Sequence, residues 1–355
     1  MNKNWEEIKK YYIAWWEYGV LDKIALMVTA PRKGAQRGET PIGATKDRFN
    51  KGKVLNIEER NIKNTFYGGM AFPQYWPNFG PDVFSAYMGA TIEFSPLGDY
   101  PVSWVDWKKP VLKDYSDLSD LEIKEDNFYW QKTKEFTSYA LERSKGNYFV
   151  GITDIHPNMD ALAVLRGGPE TLCIDMIDNP DGVKEAMKLL WRAWHKIYEE
   201  TYQIVKKQEG TCGWINLWSP GKTYPVQNDF TCLISTKMYE EFFLQEILNE
   251  INYLDHSIYH LDGPDALKHL DMLLEIPRLN AIQWVCGAGL RKEGIAKWIP
   301  IYKKIQAKKK AIIVYCESDE INFVLNNLSP RGLLICTRCS SQQEAEELLQ
   351  HYGWN

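Results

Sequence analysis

The chain of 355 residues has no basic face, no membrane-length apolar run and no dense cysteine framework. Lys and Arg are scattered, and the net charge is −5. The one compact basic run, Lys308-Lys309-Lys310, precedes the apolar stretch Ala311-Ile312-Ile313-Val314 and reads as a solvated helix end. Nucleic-acid binding, which needs clustered cations to neutralise phosphates, is therefore not expected. No stretch reaches about 18 consecutive apolar residues, so no membrane span is expected. The start, Met1-Asn2-Lys3-Asn4-Trp5-Glu6-Glu7, lacks the apolar centre of a signal peptide. Seven cysteines make an odd, loosely spaced set, and reduced thiols in a cytoplasmic protein fit that usage. Neither a G-x-G-x-x-G nor a P-loop pattern occurs, and there is no internal repeat or low-complexity tract.

What is present is the balance of a globular protein, 45% hydrophobic and 25% charged, in a chain long enough to bury a large core. Aromatic residues make up 13%, with 14 Trp, and many lie in polar or Gly/Pro-rich segments. Two readings stand side by side: a pocket for a bulky, ring-shaped or sugar-like ligand, or a large aromatic core with aromatic loop anchors.

Trp5, Ile8, Tyr12, Trp15 and Trp16 recur at helical spacing within the first 24 residues. Ala25 to Ala30 follows as an apolar run that Pro31 stops, as a buried strand would. Residues 31–110, rich in Gly, Pro, Asn and aromatics, read as an irregular insertion covering one end of the fold. From about residue 145 strands and helices alternate. Strands are expected over Tyr148–Thr153, Gly213–Leu217, Ser257–Leu261, Ala281–Val285, Ala311–Tyr315 and Gly332–Cys336. A short apolar segment lies at Phe230–Ile234, and one long helix is expected over Thr236–Leu254. Alternation at this interval implies parallel βαβ units. The expected fold is α/β: a single domain, 1–355, forming a (β/α)₈ TIM barrel with an N-terminal helical and loop-rich insertion over its mouth.

Catalytic groups of such a barrel sit at the C-terminal ends of its strands. That rule selects Asp154 and His156, Trp218, Asp229, His260 and Asp262, Gln283 and Trp284, Cys316 and Glu317, and the stretch Cys336 to Cys339. His260 and Asp262 are two apart on a strand, hence on one face, and Gly263-Pro264 ends the strand directly after them. A His and a carboxylate so placed can hold a metal or act as an acid/base pair. Cys339 offers a thiolate near the same end. Its C-x-x-C spacing with Cys336 lacks the helix start that redox chemistry needs. In the run Asp154 to Asp160, Asp154 and His156 are candidate substrate ligands, with Asn158 or Asp160 as helix cap. Arg166 either meets a substrate carboxylate or dresses a helix end. Asp229, next to aromatics, is a candidate acid or a loop cap.

Three segments together resemble the uroporphyrinogen decarboxylase superfamily. They are Leu162 to Glu170, Asp229 with Ile234 to Phe242, and Tyr259-His260-Leu261-Asp262-Gly263-Pro264. The likeness spans residues 145–350, and the run His260 to Pro264 with Ala281 to Val285 is similar to an uncharacterised branch. That superfamily includes porphyrin decarboxylases and zinc-dependent methyltransferases linked to corrinoid proteins. For the methyltransferase branch the resemblance implies zinc on His260 and Cys339, with Asp262 standing where that branch has a cysteine. A carboxylate is a harder ligand than a thiolate, which departs from thiol-activating zinc sites. For the decarboxylases it implies an Arg-rich clamp near residue 30. Here that region reads Thr29-Ala30-Pro31-Arg32-Lys33-Gly34, with only two cations for a substrate carrying many carboxylates.

The leading expectation is zinc-assisted methyl or alkyl transfer on a small substrate. His260, Asp262 and Cys339 would hold the metal, Asp229, His260 and Asp262 would be catalytic, and a corrinoid partner protein would carry the methyl group. One rival is a metal-free lyase or hydrolase, with Asp229, Asp262 and Glu317 as acids and bases on a sugar-like ligand held by Trp76, Trp218 and Trp284. Another is a non-catalytic ligand-binding barrel. Exposed aromatic loops allow a homodimer.

Overall fold

The computed structural model describes residues 4–35, 47–95, 102–287 and 293–354. In chain order its strands are β1 (Ala25–Pro31), β2 (Thr65–Gly69), β3 (Gln74–Tyr75), β4 (Ile92–Ser95), β5 (Val102–Val105), β6 (Phe149–Val150) and β7 (Thr211–Cys212). They continue with β8 (Trp218–Ser219), β9 (Thr223–Gln227), β10 (His256–Asp262), β11 (Ala281–Val285), β12 (Ala311–Tyr315) and β13 (Leu333–Arg338). Seven of them form a central sheet in the order β2-β1-β13-β12-β11-β10-β9. All neighbours pair in parallel except β2, which runs antiparallel to β1. A parallel pair, β3 with β6, and two antiparallel pairs, β4 with β5 and β7 with β8, lie apart from that ladder. The Ile152 N–H, just past β6, reaches the β7 carbonyl of Cys212 at 2.9 Å.

Parallel strands covered on both faces need apolar side chains on both. β11 and β12 meet that demand with Ala-Ile-Gln-Trp and Ala-Ile-Ile-Val, all buried. Helices return the chain between strands: Leu270–Leu274 after β10, Ile299–Ala307 after β11, Ile321–Asn327 after β12 and Gln342–His351 after β13. The architecture is thus α/β with a mostly parallel central sheet. Among the described residues no helix is long and apolar enough to cross a membrane.

The helix Trp5–Trp16 buries the aromatic stripe that its spacing predicts. The Trp15 indole donates to the Ile312 carbonyl at 3.3 Å and the Trp16 indole to the Trp218 carbonyl at 2.9 Å. Trp16 also stacks on His256, the first residue of β10, at 5.1 Å. The helix therefore covers the N-terminal ends of the strands. This corrects the expectation that it would lie over the functional mouth, since Asp262 ends β10 at the far side.

Four further corrections concern the chain path. Residues 31–110 are not irregular throughout: they contain the helices Lys51–Asn64 and Val83–Tyr87 and the strands β2 to β5, while 36–46 and 96–101 lie outside the described residues. The strand expected at Gly213–Leu217 is a loop after β7, and the strand that joins the sheet is β9. Pro225 hid β9, because proline cannot donate to a ladder and belongs at sheet margins. β9 is indeed the last strand of the main ladder. The apolar segment after it is a 3₁₀ turn, Asp229–Leu233. The long helix expected after that breaks at Phe243 into Thr236–Phe242 and Leu244–Tyr253.

Candidate functional site

Register decides what meets at the C-terminal strand ends. His260 of β10 stands opposite Gln227 of β9 and Gln283 of β11. Residues in register on parallel neighbours share a face, so 227, 260 and 283 point the same way, with Asp262 two residues further on. Gly263 then takes φ +80°, a conformation that a residue with a Cβ rarely adopts, and turns the chain into Pro264–His269. Asp229 arrives from the 3₁₀ turn after β9. One donor-type atom from each of Asp229, His260 and Asp262 lies within 4.8 Å of the other two.

Each member is held from behind. Gln283 Oε1 lies 2.6 Å from His260 Nδ1, and Gln283 Nε2 donates to the Tyr315 hydroxyl at 2.9 Å. An amide oxygen only accepts, so Nδ1 donates its proton to it and Nε2 is the nitrogen left for another partner. The Trp214 ring packs edge-on against His260 at 5.1 Å. Asp262 Oδ1 is buried without a partner. Burial raises its carboxyl pKa, Asp229 adds to the rise, and His260 opposes it. Asp160, in the first turn of the helix Met159–Arg166, fastens Asp229. Its two carboxylate oxygens accept the Asp229 N–H at 2.9 Å and the Phe230 N–H at 2.7 Å. Burial and the Asp229 charge raise the Asp160 carboxyl well above its ordinary value.

A second compartment adjoins the first. His156 Nε2 lies 2.6 Å from Asp154 Oδ1 and 3.1 Å from the Gln227 amide. Burial pulls this imidazole down, but the carboxylates of Asp154, Asp160 and Asp229 outweigh it and lift the pKa to about 9. Burial raises the Asp82 carboxyl to about 6, against the opposing charge of His156 and a hydrogen bond from the Val105 backbone. The Trp214 ring stands 6.3 Å from His156 as well as against His260, and so connects the compartments.

The structure thus brings Asp229, His260 and Asp262 together, sets Gln283 behind His260, and places Asp154 and His156 alongside. Half-buried Trp76 lies beside the strand that leads to Asp154, its Cβ close to Gly151. Other candidates stand elsewhere. Arg166 grips Asp175 with two nitrogens, at 2.6 and 3.0 Å, and spends a third on the carbonyls of Leu112 and Lys113. That is the helix-end role left open for it, in place of substrate binding. Trp218 packs on Trp5 and Tyr12 beneath the strands. Trp284, one residue out of phase with Gln283, faces the helices and packs on Trp298 at 5.3 Å. Exposed Glu317 forms a capping box with Glu320. Cys339 is buried and donates its N–H to the Thr29 carbonyl at 2.8 Å. Burial, with Glu344 alongside, lifts its thiol to about 11, and it is not among the three clustered donors.

Asp160, Gln227, Trp214, Asp82 and Tyr315 were not singled out from the sequence as site residues. Asp160 carried the signal of a helix cap, Gln227 lay on the strand that Pro225 masked, Trp214 lay in the segment expected to be a strand that is a loop, and Asp82 lies in a turn whose course no periodicity sets.

No protein-family model matches the chain, and no curated protein matches it. Among solved structures 13 chains match. One of them, a methyltransferase from Methanosarcina mazei, is similar with a TM-score of 0.63 at 11% identity, over 94% of this chain and 93% of that one. At that identity the likeness establishes a shared fold.

Proposed function

We propose that the chain is an enzyme of methyl or alkyl transfer to a small substrate, working on a closed (β/α)₈ barrel with a zinc-type divalent ion on Asp229, His260 and Asp262. The observation that carries this reading is the convergence of those three donors within 4.8 Å at the strand ends. The donor set suits such an ion. His260 presents an Nε2 lone pair, and its other nitrogen is bonded to Gln283, the usual support of a ligating imidazole. The unpartnered Asp262 oxygen would otherwise leave a buried acceptor unpaired, at a cost of about 1–3 kcal/mol. Three protein donors also leave a position for substrate. Two carboxylates and one imidazole make a harder set than the thiolate-rich one that the resemblance implied, and Cys339 takes no part in it.

When bound, the ion would supply Lewis acidity that lowers the pKa of a substrate thiol or hydroxyl. The protein's own groups do the rest. Asp160 fixes the loop that carries Asp229, Gln283 fixes the His260 ring, and His156, protonated at neutral pH, holds a proton on Nε2 against Asp154. The methyl group would come from a corrinoid carried by a partner protein, as the resemblance implies. The name of the structural neighbour supports methyl transfer. Decarboxylation of a polyanionic porphyrinogen finds no support, because carboxylates and imidazoles dominate the site.

Metal analysis tests the proposal. Titrated with zinc, the protein is expected to hold about one ion per chain. His260→Ala and Asp262→Asn should lose it and Cys339→Ala should keep it. Wild-type protein that takes up no zinc refutes the reading. One observation favours a second reading: burial raises the Asp262 carboxyl pKa, and Asp229 stands beside it, as in a metal-free acid/base pair of a lyase or hydrolase. Activity that survives chelation and disappears in Asp262→Asn would select it.

A further inference from the structure

The groove beside β2 has a bare backbone edge and a surplus of cations. β2 is the end strand of the central sheet and runs antiparallel to β1. The Arg32 N–H reaches the Asn64 carbonyl and the Met70 N–H the Leu26 carbonyl, both at 2.8 Å, so Asn64, Phe66, Gly68 and Met70 are the residues whose backbone faces β1. Alternate residues of an antiparallel pair bond across it, and Tyr67 and Gly69 therefore turn their N–H and C=O groups away from β1. Among the described residues no hydrogen bond takes up those groups. Gly69 is buried, and a buried backbone group without a partner is rare in a folded protein. The edge is also fixed and unshielded. A Cβ on Gly68 would collide with Leu349, so the helix Gln342–His351 lies close against this face of the strand. Gly69, at φ +60°, has no side chain to cover the edge, which suits the close approach of another backbone.

Tyr67 and Gly69 line a groove of about 960 Å³. It extends from Lys23, just before β1, to Arg32 and Lys33, just after it, so its length follows the strands. Among the described residues, the charged side chains lining it are four cations, Lys23, Arg32, Lys33 and Lys63, and two carboxylates, Glu7 and Glu346, in a chain of net charge −5. Glu7 is bonded to Lys23 at 3.1 Å, which leaves Arg32, Lys33 and Lys63 in excess at the end of the groove beside Thr65. We propose that this groove docks an acidic, extended peptide segment of a partner protein, which adds to β2 as a further strand. Its backbone pairs with Tyr67 and Gly69, and its carboxylates meet Arg32, Lys33 and Lys63. The bare edge selects a peptide over a small anion, which would use the cations alone. Charge argues against a second copy paired edge to edge, because β2, Thr-Phe-Tyr-Gly-Gly, carries no carboxylate to answer those cations. None of Asp229, His260 and Asp262 lines the groove, so the proposal stands or falls apart from the metal reading.

Fluorescence anisotropy with the full chain tests this, using a dye-labelled, end-capped hexapeptide that alternates glutamate and valine. The controls are its lysine–valine counterpart and glutarate, a dianion without a peptide backbone, as competitor. The acidic peptide should bind about tenfold or more tightly than the lysine peptide, and should weaken as salt rises from about 0.05 to about 0.5 M. Glutarate at the same concentration should not displace it. Lys33→Glu combined with Lys63→Glu reverses two exposed charges and should lose about tenfold in affinity. Hydrogen exchange reads the backbone directly: the Tyr67 and Gly69 amides should slow about tenfold or more when the acidic peptide is added. Equal binding of the two peptides, displacement by glutarate, an unchanged double variant, or binding that leaves both amides exchanging as before would each overturn the proposal. Amides already protected in the free chain and released on dilution would overturn it in favour of a second copy.

Discussion

Replacing Asp160 by Ala removes the two acceptors that hold the turn carrying Asp229. The Asp229 N–H, bonded at 2.9 Å, lies in an exposed residue, so water replaces that partner cheaply. The Phe230 N–H, bonded at 2.7 Å, belongs to a residue only 5% exposed and has no such replacement. A charge-assisted bond lost from a buried donor costs about 1.5–3 kcal/mol, and the exposed one adds a few tenths. Relief of repulsion between the Asp160 and Asp229 carboxylates returns part of this, since Asp229 helps to raise the Asp160 carboxyl. The net expectation is a loss of about 2 kcal/mol in urea unfolding. Asp160→Asn, which keeps one acceptor and removes the repulsion, should lose less than about 1 kcal/mol. The larger consequence falls on the site. With the turn released, Asp229 no longer meets His260 and Asp262, and zinc affinity should fall about 10- to 100-fold in Asp160→Ala, as for other residues that orient ligands from behind. An Asp160→Ala protein with wild-type unfolding and wild-type zinc affinity would refute both the hydrogen-bond accounting and the role of Asp229 as a ligand.

Gln283→Leu should keep the fold, because its face of β11 is buried, yet lower zinc affinity about tenfold by freeing the His260 ring, which isothermal titration measures. Arg166→Ala should cost about 2–4 kcal/mol in thermal or urea unfolding, since it strands Asp175 and two carbonyls, while ligand and zinc affinities stay within error. The stability of the wild type should fall as pH rises from 6.5 through about 9. His156 binds its proton more tightly folded than unfolded, so its contribution is complete below the unfolded value of 6.5 and is lost as pH passes the folded value near 9. Asp82, raised from 3.8 to about 6, acts in the same direction over a lower range, because the folded chain ionises it reluctantly. Urea midpoints measured across this range should decline less steeply above pH 6.5 in His156→Gln than in the wild type.

Much of the parallel core was legible because its signal is local. β10, β11, β12 and β13 lie at the apolar runs expected, and the stripe of Trp5, Ile8, Tyr12, Trp15 and Trp16 forms a helix as its spacing requires. Period-two geometry also brought out His260 and Asp262 as one face. The same rule, carried one strand further, would have separated Gln283 from Trp284, because neighbours on a strand point to opposite sides. β9 stayed hidden behind Pro225, whose missing N–H matters only in the middle of a ladder and not at its margin. Arg166 and Glu317 show the limit of reading polar residues at element ends: each looks like a ligand in sequence, and each satisfies local backbone or carboxylate groups in the fold.

The sequence by itself determined the α/β class of the fold, the run of strands β10 to β13 with the helices between them, and the pairing of an imidazole with a carboxylate at one strand end, since these depend on periodicity over a few residues. Only the tertiary structure decided that Asp229, already a candidate acid, and not Cys339 stands as third member of that cluster. Asp229, 31 positions before His260, reaches the pair because Asp160 ties its turn down, while Cys339 is turned toward Glu344. Such choices follow from how distant segments fill one space, and no short-range pattern encodes them.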